Sequence, residues 1–401
     1  MKGLFLGGIF DESHIPEIAK KTKTYVEFAA NNFQKKILLG FTQLGVKTDV
    51  ISAPFLGAYP SAYSDMFFRG FDKTVMDNSG YKYVHFNNIW GIRNFSRARS
   101  LKKAVKDFIN TDDDSKLIIV YTPHTPLIKA ANYAKQRDSR IKICLVIPDL
   151  PQYMNLSERI SPVYKVLKRV DIKSFQKESA GADSFLLLTE QMADAIGVNN
   201  RPYEVIEGIY EPLDLPKTKR NEKIKNIAYT GKLNRSFGAL DLVEAFMDIQ
   251  DDSLTLTICG SGEDKNNIIN LAAKDKRIKY LGQVAPAKAA EIINNADVLI
   301  NPRKNNTEYT KYSFPSKIID YLSTGNPVIA YKLDGMPECY ENFIHFVPDD
   351  SVASLRDTIV RVIHMTDEEK KKKSSAALEY LNKELTSKSV AKKIIDLSYK
   401  E

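Results

Sequence analysis

Residues 312–329 read YSFPSKIIDYLSTGNPVI. Pro315 stands where a helix takes its first turn, because the N–H it lacks is one that a helix start leaves unpaired anyway. Gly325 stands just past the helix end. Asn326–Pro327 then enforces a turn into Val328–Tyr331, an apolar run of strand length. Ser316 and Asp320, four apart, share one helix face. A helix entered in this way at the C-terminal edge of a parallel sheet points its free N–H groups and positive dipole end into a ligand crevice. A diphosphate fits there, and a carboxylate one turn in can hold ribose hydroxyls; an ordinary capped helix with a surface aspartate uses the same residues.

Outward from this segment, apolar runs at Lys225–Thr230, Leu254–Ile258, Ile278–Leu281, Val298–Asn301 and Ile344–Val347 alternate with helix-period stretches. That alternation predicts a doubly wound parallel sheet, an α/β unit. The first half repeats it with Gly3–Leu6, Thr48–Ser52, Leu117–Tyr121, Ile143–Ile147, Phe185–Leu188 and Tyr203–Ile206, and with helices such as Val26–Leu44 and Ser96–Asn110. Thr189 reads as the N-cap of a helix over Glu190–Ile196 that Gly197 ends. Tyr210–Asn221, YEPLDLPKTKRN, is polar, proline-bearing and aperiodic, so it reads as a linker. Two Rossmann-like domains facing a cleft are therefore expected, over 1–209 and 222–385, with a C-terminal helix at about 386–401 completing the first. The four lysines Lys370–Lys373 read as a solvated helix face.

At 401 residues, 43% hydrophobic and 27% charged, the chain suits two buried sheets rather than extended disorder. Its net charge of +8 favours anionic partners: nucleotide phosphates, nucleic acid or an acidic membrane surface. Nucleic acid is disfavoured, since no RNA- or DNA-binding module is visible and 50 acidic residues offset the 58 basic ones. Cys144, Cys259 and Cys339 are widely spaced in apolar stretches and read as buried reduced thiols of a cytoplasmic protein. The opening MKGLFLGGIF lacks a cleavage pattern and reads as a strand, and no apolar run approaches the ~18 residues of a membrane span. Any membrane contact would be peripheral. Arg159–Lys177 and Arg93–Lys106 place basic residues among apolar ones at helical spacing, which suits either an interfacial helix on anionic lipid or a surface helix packed on a sheet.

Four further segments can carry chemistry. Thr230–Arg235, TGKLNR, follows a strand; Gly231 permits close backbone approach, Lys232 and Arg235 can bind phosphate, and Asn234 lies between them. Leu256–Glu263 ends its strand in Gly260-Ser261-Gly262, but lacks the third glycine of a dinucleotide site. Gln283 and Val284 lie in the loop after the next strand, where backbone groups can hold a base. In the first half, His124 and Asp149 each follow a strand, while His14, His85, His345 and His364 lack any partner spacing and read as structural. Asp112–Asp114 precedes a strand in a polar loop and reads as solvated, so no metal site is expected.

In this order the segments from Ile227 to about Val347 resemble the C-terminal domain of the retaining family-four glycosyltransferases, which have the GT-B fold. The family's glycine-arginine-leucine stands here as Gly231-Lys232-Leu233. Its Gly-x-Gly, its alanine-aspartate (Ala296-Asp297) and its glycine-x-proline-glutamate (Gly335-Met336-Pro337-Glu338) are all present. Of the two signature glutamates, Asp320 takes the place of the second, and Tyr312 stands where the first would be. The chain is thus similar to a Phe-Pro-Ser-Lys variant, Phe314–Lys317, in which the donor sugar is held differently. Phe237 occupies the family's second basic position, so Arg235 would have to replace that lysine.

The resemblance implies a metal-independent transferase that keeps the donor's anomeric configuration. It implies a nucleotide-diphosphate sugar as donor, with UDP the default base, and no cofactor. Donor contacts would come from Ser313, Phe314, Pro315, Ser316, Lys317 and Asp320 with the loops named above. Catalysis would fall to Lys232, Arg235 and His124. Gly7, Gly8 and Asp149 would meet the acceptor, a glycan or lipid-linked saccharide of surface polysaccharide synthesis. A nucleotide-sugar epimerase or hydrolase, or a non-catalytic scaffold that binds a partner enzyme, would share the fold; the missing first glutamate favours the scaffold.

Overall fold

Short apolar runs rich in Val, Ile and Leu form two all-parallel sheets, as residues buried on both faces should. The first sheet holds β1 (Lys2–Gly7), β2 (Thr48–Ser52), β3 (Tyr81–Tyr83), β4 (Lys116–Tyr121), β5 (Ile141–Ile147), β6 (Ser184–Leu187) and β7 (Tyr203–Val205), in the order β3-β2-β1-β4-β5-β6-β7. The second holds β8 (Lys225–Thr230), β9 (Leu254–Cys259), β10 (Ile278–Tyr280), β11 (Val298–Asn301), β12 (Val328–Ala330) and β13 (His345–Phe346), ordered β10-β9-β8-β11-β12-β13. In the computed structural model, which describes residues 1–24, 26–71, 80–153, 162–212, 215–216 and 224–400, one compact unit comprises Met1–Ile209 with Ser387–Glu401 and the other Tyr210–Thr386. Among the described residues no helix is long and apolar enough to cross a membrane.

Each sheet reverses its strand order once, between β1 and β4 and between β8 and β11. At such a reversal successive crossovers leave in opposite directions, which opens a crevice at the C-terminal strand ends. The second sheet packs Ile227, Ile258, Val298 and Ile329 against Val243, Phe246, Leu355 and Ile359 of two helices, Ala239–Met247 and Val352–Ile363. In the first unit the Ser387–Ser398 helix returns to the Phe28–Gln43 helix at Gly40, where a Cβ would stand 1.9 Å from the Ser387 carbonyl oxygen. Only glycine permits that approach.

Several local expectations change. β3 is absent from the sequence reading, because the three residues Tyr81–Tyr83 carry too little pattern to register. The Ser96–Asn110 helix instead starts at Arg93 and breaks into Arg93–Ala104 and Lys106–Ile109. The helix predicted over Glu190–Ile196 begins at Met192, so Gln191 rather than Thr189 is its N-cap residue; buried Thr189 accepts the Met192 N–H at its carbonyl. Cys339 is half-buried, unlike Cys144 and Cys259, and all three are free thiols. Lys370 and Lys373 donate to the carbonyls of Ile363 and Glu341, so only the middle of the lysine run is solvated. Residues 213–214 and 217–221 of the linker, and Arg159–Ser161 of the basic stretch, lie outside the described residues.

Replacing Gly40 with alanine should push the C-terminal helix off the first unit. We expect a loss of about 1–3 kcal/mol in urea unfolding followed by circular dichroism, the usual cost of overpacking. An unchanged midpoint would show that the two backbones are not in contact.

Candidate functional site

The crevice of the second unit is built by backbone. Gly238 is left-handed (φ 72°), and a Cβ there would stand 2.0 Å from the Pro302 carbonyl oxygen. The loop after β8 therefore lies directly against the loop after β11. On its other side it zips onto the loop after β9: Gly231 N–H donates to Cys259 O at 3.0 Å, Leu233 N–H to Ser261 O at 3.0 Å and Asp264 N–H to Leu233 O at 2.8 Å. Gly260 (φ 142°) is required because its Cβ would meet Gly231 O at 1.7 Å, and its N–H is committed to Gly282 O at 2.8 Å. The Gly-Ser-Gly segment thus serves loop packing first, with Ser261 exposed on it.

From below, the Tyr229 hydroxyl donates to Lys232 O at 2.7 Å, and a side chain at Gly231 would meet that hydroxyl. Tyr321, fully buried in the Ser316–Leu322 helix, receives the Thr230 N–H at 2.9 Å, which pins this helix to the end of β8. Neither tyrosine figures in the sequence reading, because a brace shows only when distant segments meet.

This framework holds two cations over one ring. Lys232 Nζ lies 5.9 Å and Arg303 Cζ 5.6 Å from the centroid of Phe237. Arg303 also faces Tyr309 at 5.4 Å and donates from Nη2 to Ser313 Oγ at 3.1 Å. Among the described residues neither cation pairs with a carboxylate, whereas neighbouring Lys304 pairs with Asp241. Burial pulls the Arg303 guanidinium below the ordinary arginine value, toward the uncharged form, so a bound anion would be strongly favourable.

Arg303 was missed by sequence reasoning, and its one signal was its place two residues past a buried strand. Arg235, which was expected to supply the second basic group, is exposed, as Lys232 is; its backbone N–H donates to Glu263 at 2.9 Å, but among the described residues its side chain does not stack on Phe237. The Phe-Pro-Ser-Lys residues divide. Ser313 and Phe314 are buried, Phe314 with its ring 5.0 Å from Tyr340, so its side chain is a packing group. Pro315 is the N-cap residue rather than part of the helix, and Ser316 is exposed at the helix start. Lys317 and Asp320 form an ion pair at 3.7 Å, each about half exposed. Asn234 precedes the Arg235–Phe237 turn, while Gln283 and Val284 lie in the exposed to half-buried loop after β10.

In the first unit Gly7 and Gly8 end β1, and His124 follows β4, at the β1/β4 reversal. Phe55 fills the space between: a Cβ on Gly8 would touch its ring at 2.5 Å, and His124 meets it edge-on at 5.9 Å. The Gly8 N–H, expected to face a ligand, instead donates to Gln34 Oε1 at 2.9 Å. Thr122 adopts φ 73°, a strained conformation for a β-branched residue, and its carbonyl accepts from His124 N–H at 2.7 Å. His124 Nδ1 is buried and has no hydrogen-bond partner among the described residues. Desolvation, then the charges of Arg97 and Arg93, hold the imidazole well below its ordinary pKa, hence neutral. Asp149 is half-buried just past β5.

Comparison with known proteins bears on the second unit most directly. Residues 224–365 match the family model described as glycosyl transferases group 1, and so form a domain of that kind. A phosphatidyl-myo-inositol mannosyltransferase from Mycobacterium leprae (strain TN) is 28% identical over 126 residues, 31% of this chain and 32% of that protein. The chain thus matches about a third of that relative's length. Solved structures are similar over nearly the whole chain at low identity. An E. coli trehalose-6-phosphate structure bound with UDP-2-fluoro glucose gives a TM-score of 0.66 at 11% identity, covering 99% of both chains. The lipopolysaccharide outer core galactosyltransferase WaaB gives 0.63 at 14%, and Anabaena HepE in complex with UDP gives 0.60 at 15%, each again over 99% of both chains. The chain has the GT-B fold.

Because His124 is held neutral, its ring should show no titration near pH 6.5 in long-range ¹H–¹⁵N NMR spectra of the folded protein, its proton uptake falling well below that pH. A midpoint near 6.5 would mean that the ring is solvated and not held as described.

Proposed function

We propose, starting from a group 1 domain in the second unit of a GT-B fold, that this chain is a retaining, metal-independent glycosyltransferase. It takes a sugar from a nucleoside-diphosphate donor, UDP by default, and passes it to a glycan or lipid-linked acceptor in polysaccharide assembly. The observation that carries this reading is the pair Lys232 and Arg303, two cations without a carboxylate partner above Phe237, at the strand reversal of that domain. The UDP and UDP-sugar in the similar solved structures support the donor class.

As the anomeric C–O bond to the diphosphate breaks, positive charge grows on the sugar carbon and negative charge on the leaving phosphate. Fixed cations aimed at that phosphate lower the barrier most, since they need not reorganise. Lys232 and Arg303 would carry this work, with the amides at Ser316–Lys317 adding to it. No divalent ion is then needed to neutralise the phosphate. The acceptor hydroxyl attacks the anomeric carbon from the face the phosphate leaves, and its proton passes to the departing phosphate oxygen. Neutral His124 would hydrogen-bond a sugar hydroxyl instead of accepting that proton, and Gly7, Gly8 and Asp149 would border the acceptor. Asp320, with Lys317 beside it, would hold ribose hydroxyls.

Calorimetry with UDP tests the donor site. Lys232→Ala and Arg303→Ala should each weaken binding by roughly tenfold or more, the loss expected for a charge-assisted contact, with melting unchanged. Arg235→Ala should fall within about twofold of wild type, as an exposed cation without a fixed partner does. Unaltered affinity in Arg303→Ala removes it from the site. Turnover should persist in excess EDTA, and donor consumption without acceptor would favour a hydrolase or epimerase.

A further inference from the structure

Large apolar side chains stand exposed together on one knuckle of the first unit: Met66 (39%), Phe67 (51%), Trp90 (51%), Ile92 (50%) and Phe95 (75%). Backbone pairing makes them neighbours. Phe67–Phe68 runs antiparallel to Phe86–Asn87, Asn88 N–H donates to Met66 O at 2.7 Å, and Asn87 N–H donates to Ser96 Oγ at 3.0 Å beside Phe95. A groove of about 440 Å³ opens at the paired strands beside them, lined by Phe67, Phe68 and Phe86 with Arg69 and His85. Exposed patches of this kind are uncommon on a surface that meets only water.

On the Phe86–Lys106 side of the knuckle the charge has one sign. From Phe86 to Lys106 the sequence contains no Asp or Glu and has Arg93, Arg97, Arg99, Lys102, Lys103 and Lys106. Acids border the other side: Glu17 and Asp65 share Lys21, each at 2.8 Å, beside Met66 and Phe67, and Asp107 pairs with Lys82 at 3.3 Å. Arg69, Arg99 and Lys103 are exposed. Aromatic tips with long basic side chains on their Phe86–Lys106 flank suit the boundary of an anionic bilayer: the rings would lie at headgroup depth and the cations would reach lipid phosphates.

We propose that this aromatic knuckle inserts into the headgroup region of an anionic membrane. The surface differs from the helical faces that the sequence suggests. Arg97 and Leu101 of the Arg93–Ala104 helix are buried, so that helix contributes its first turn rather than an apolar stripe. The knuckle is also tied to the β1/β4 edge. Arg97 stacks on Phe86 at 4.1 Å and donates to Pro54 O at 3.0 Å, next to the Phe55 that packs on His124. Insertion would thus bring that edge near the lipid headgroups. This gives a location to the lipid-linked acceptor proposed above and rests on that reading for its purpose, but membrane binding itself requires no donor.

Trp90 is the chain's single tryptophan, so its emission reports the knuckle directly. The full chain is titrated with phosphatidylcholine vesicles with and without phosphatidylglycerol. With the anionic vesicles alone, Trp90 emission should shift to the blue, be quenched by brominated acyl chains, and recover as salt is added. Trp90→Ala/Phe95→Ala should lower co-sedimentation with these vesicles by roughly tenfold or more, as lost apolar burial at an interface predicts, while UDP affinity stays at the wild-type value. No emission change with anionic vesicles overturns the proposal. Co-sedimentation without an emission change overturns it too, by pointing to another surface, as does a blue shift without lipid at rising protein concentration together with a doubled mass. If wild type binds vesicles but not UDP, the donor reading fails and the membrane surface stands.

Discussion

Two backbones meet at the point where the second sheet reverses, and only glycine lets them. Gly238 against Pro302 O, and Gly260 against Gly231 O, bring the loops after β8, β9 and β11 within van der Waals distance. Because of that approach, Phe237 from one loop lies beneath Arg303 from another, with Lys232 over the same ring. The aromatic face gives each cation a partner that does not neutralise it. Arg303 therefore keeps its positive charge in a partly desolvated place, beside the exposed Lys232, which favours a bound anion.

The first unit uses strain for a similar end. Thr122 is held at φ 73° at the end of β4, and its carbonyl fixes the backbone of His124. Phe55 closes against the ring, and desolvation, with the nearby guanidinium groups of Arg97 and Arg93 adding to it, keeps it neutral. Strain of this kind lasts only where surrounding packing over-determines it, here the buried aromatic and glycine contacts at the β1/β4 edge. In both units the polar machinery collects at the strand reversal, since elsewhere along the sheet edge crossover connections cover the strand ends.

Much of the fold was legible in the chain. Strand and helix alternation set out both parallel sheets because burial on two faces leaves a continuous apolar run, a signal contained in a handful of adjacent residues. β3 escaped because Tyr81–Tyr83 is too short to show a period. Site legibility followed the same rule. Gly231, Lys232 and the Ser316–Leu322 helix start could be placed as candidates from their order after strands, yet the positions of Arg303 and Tyr321 beside them could not. Their roles depend on Phe237 and Thr230, 66 and 91 positions away in sequence respectively.

Residue order by itself determined where strands end, which loops carry glycine, and that basic groups lie near those ends; each of these is a local property of φ, ψ and side-chain pattern. Which basic group joins Lys232 was decided in three dimensions. Arg235, three residues from Lys232, is exposed and makes no contact with Phe237 among those of the described residues, while Arg303, far along the chain, arrives over the shared ring. Coulomb energy and hydrogen bonding depend on distance through space, and that distance exists only once the two loop backbones have closed on each other.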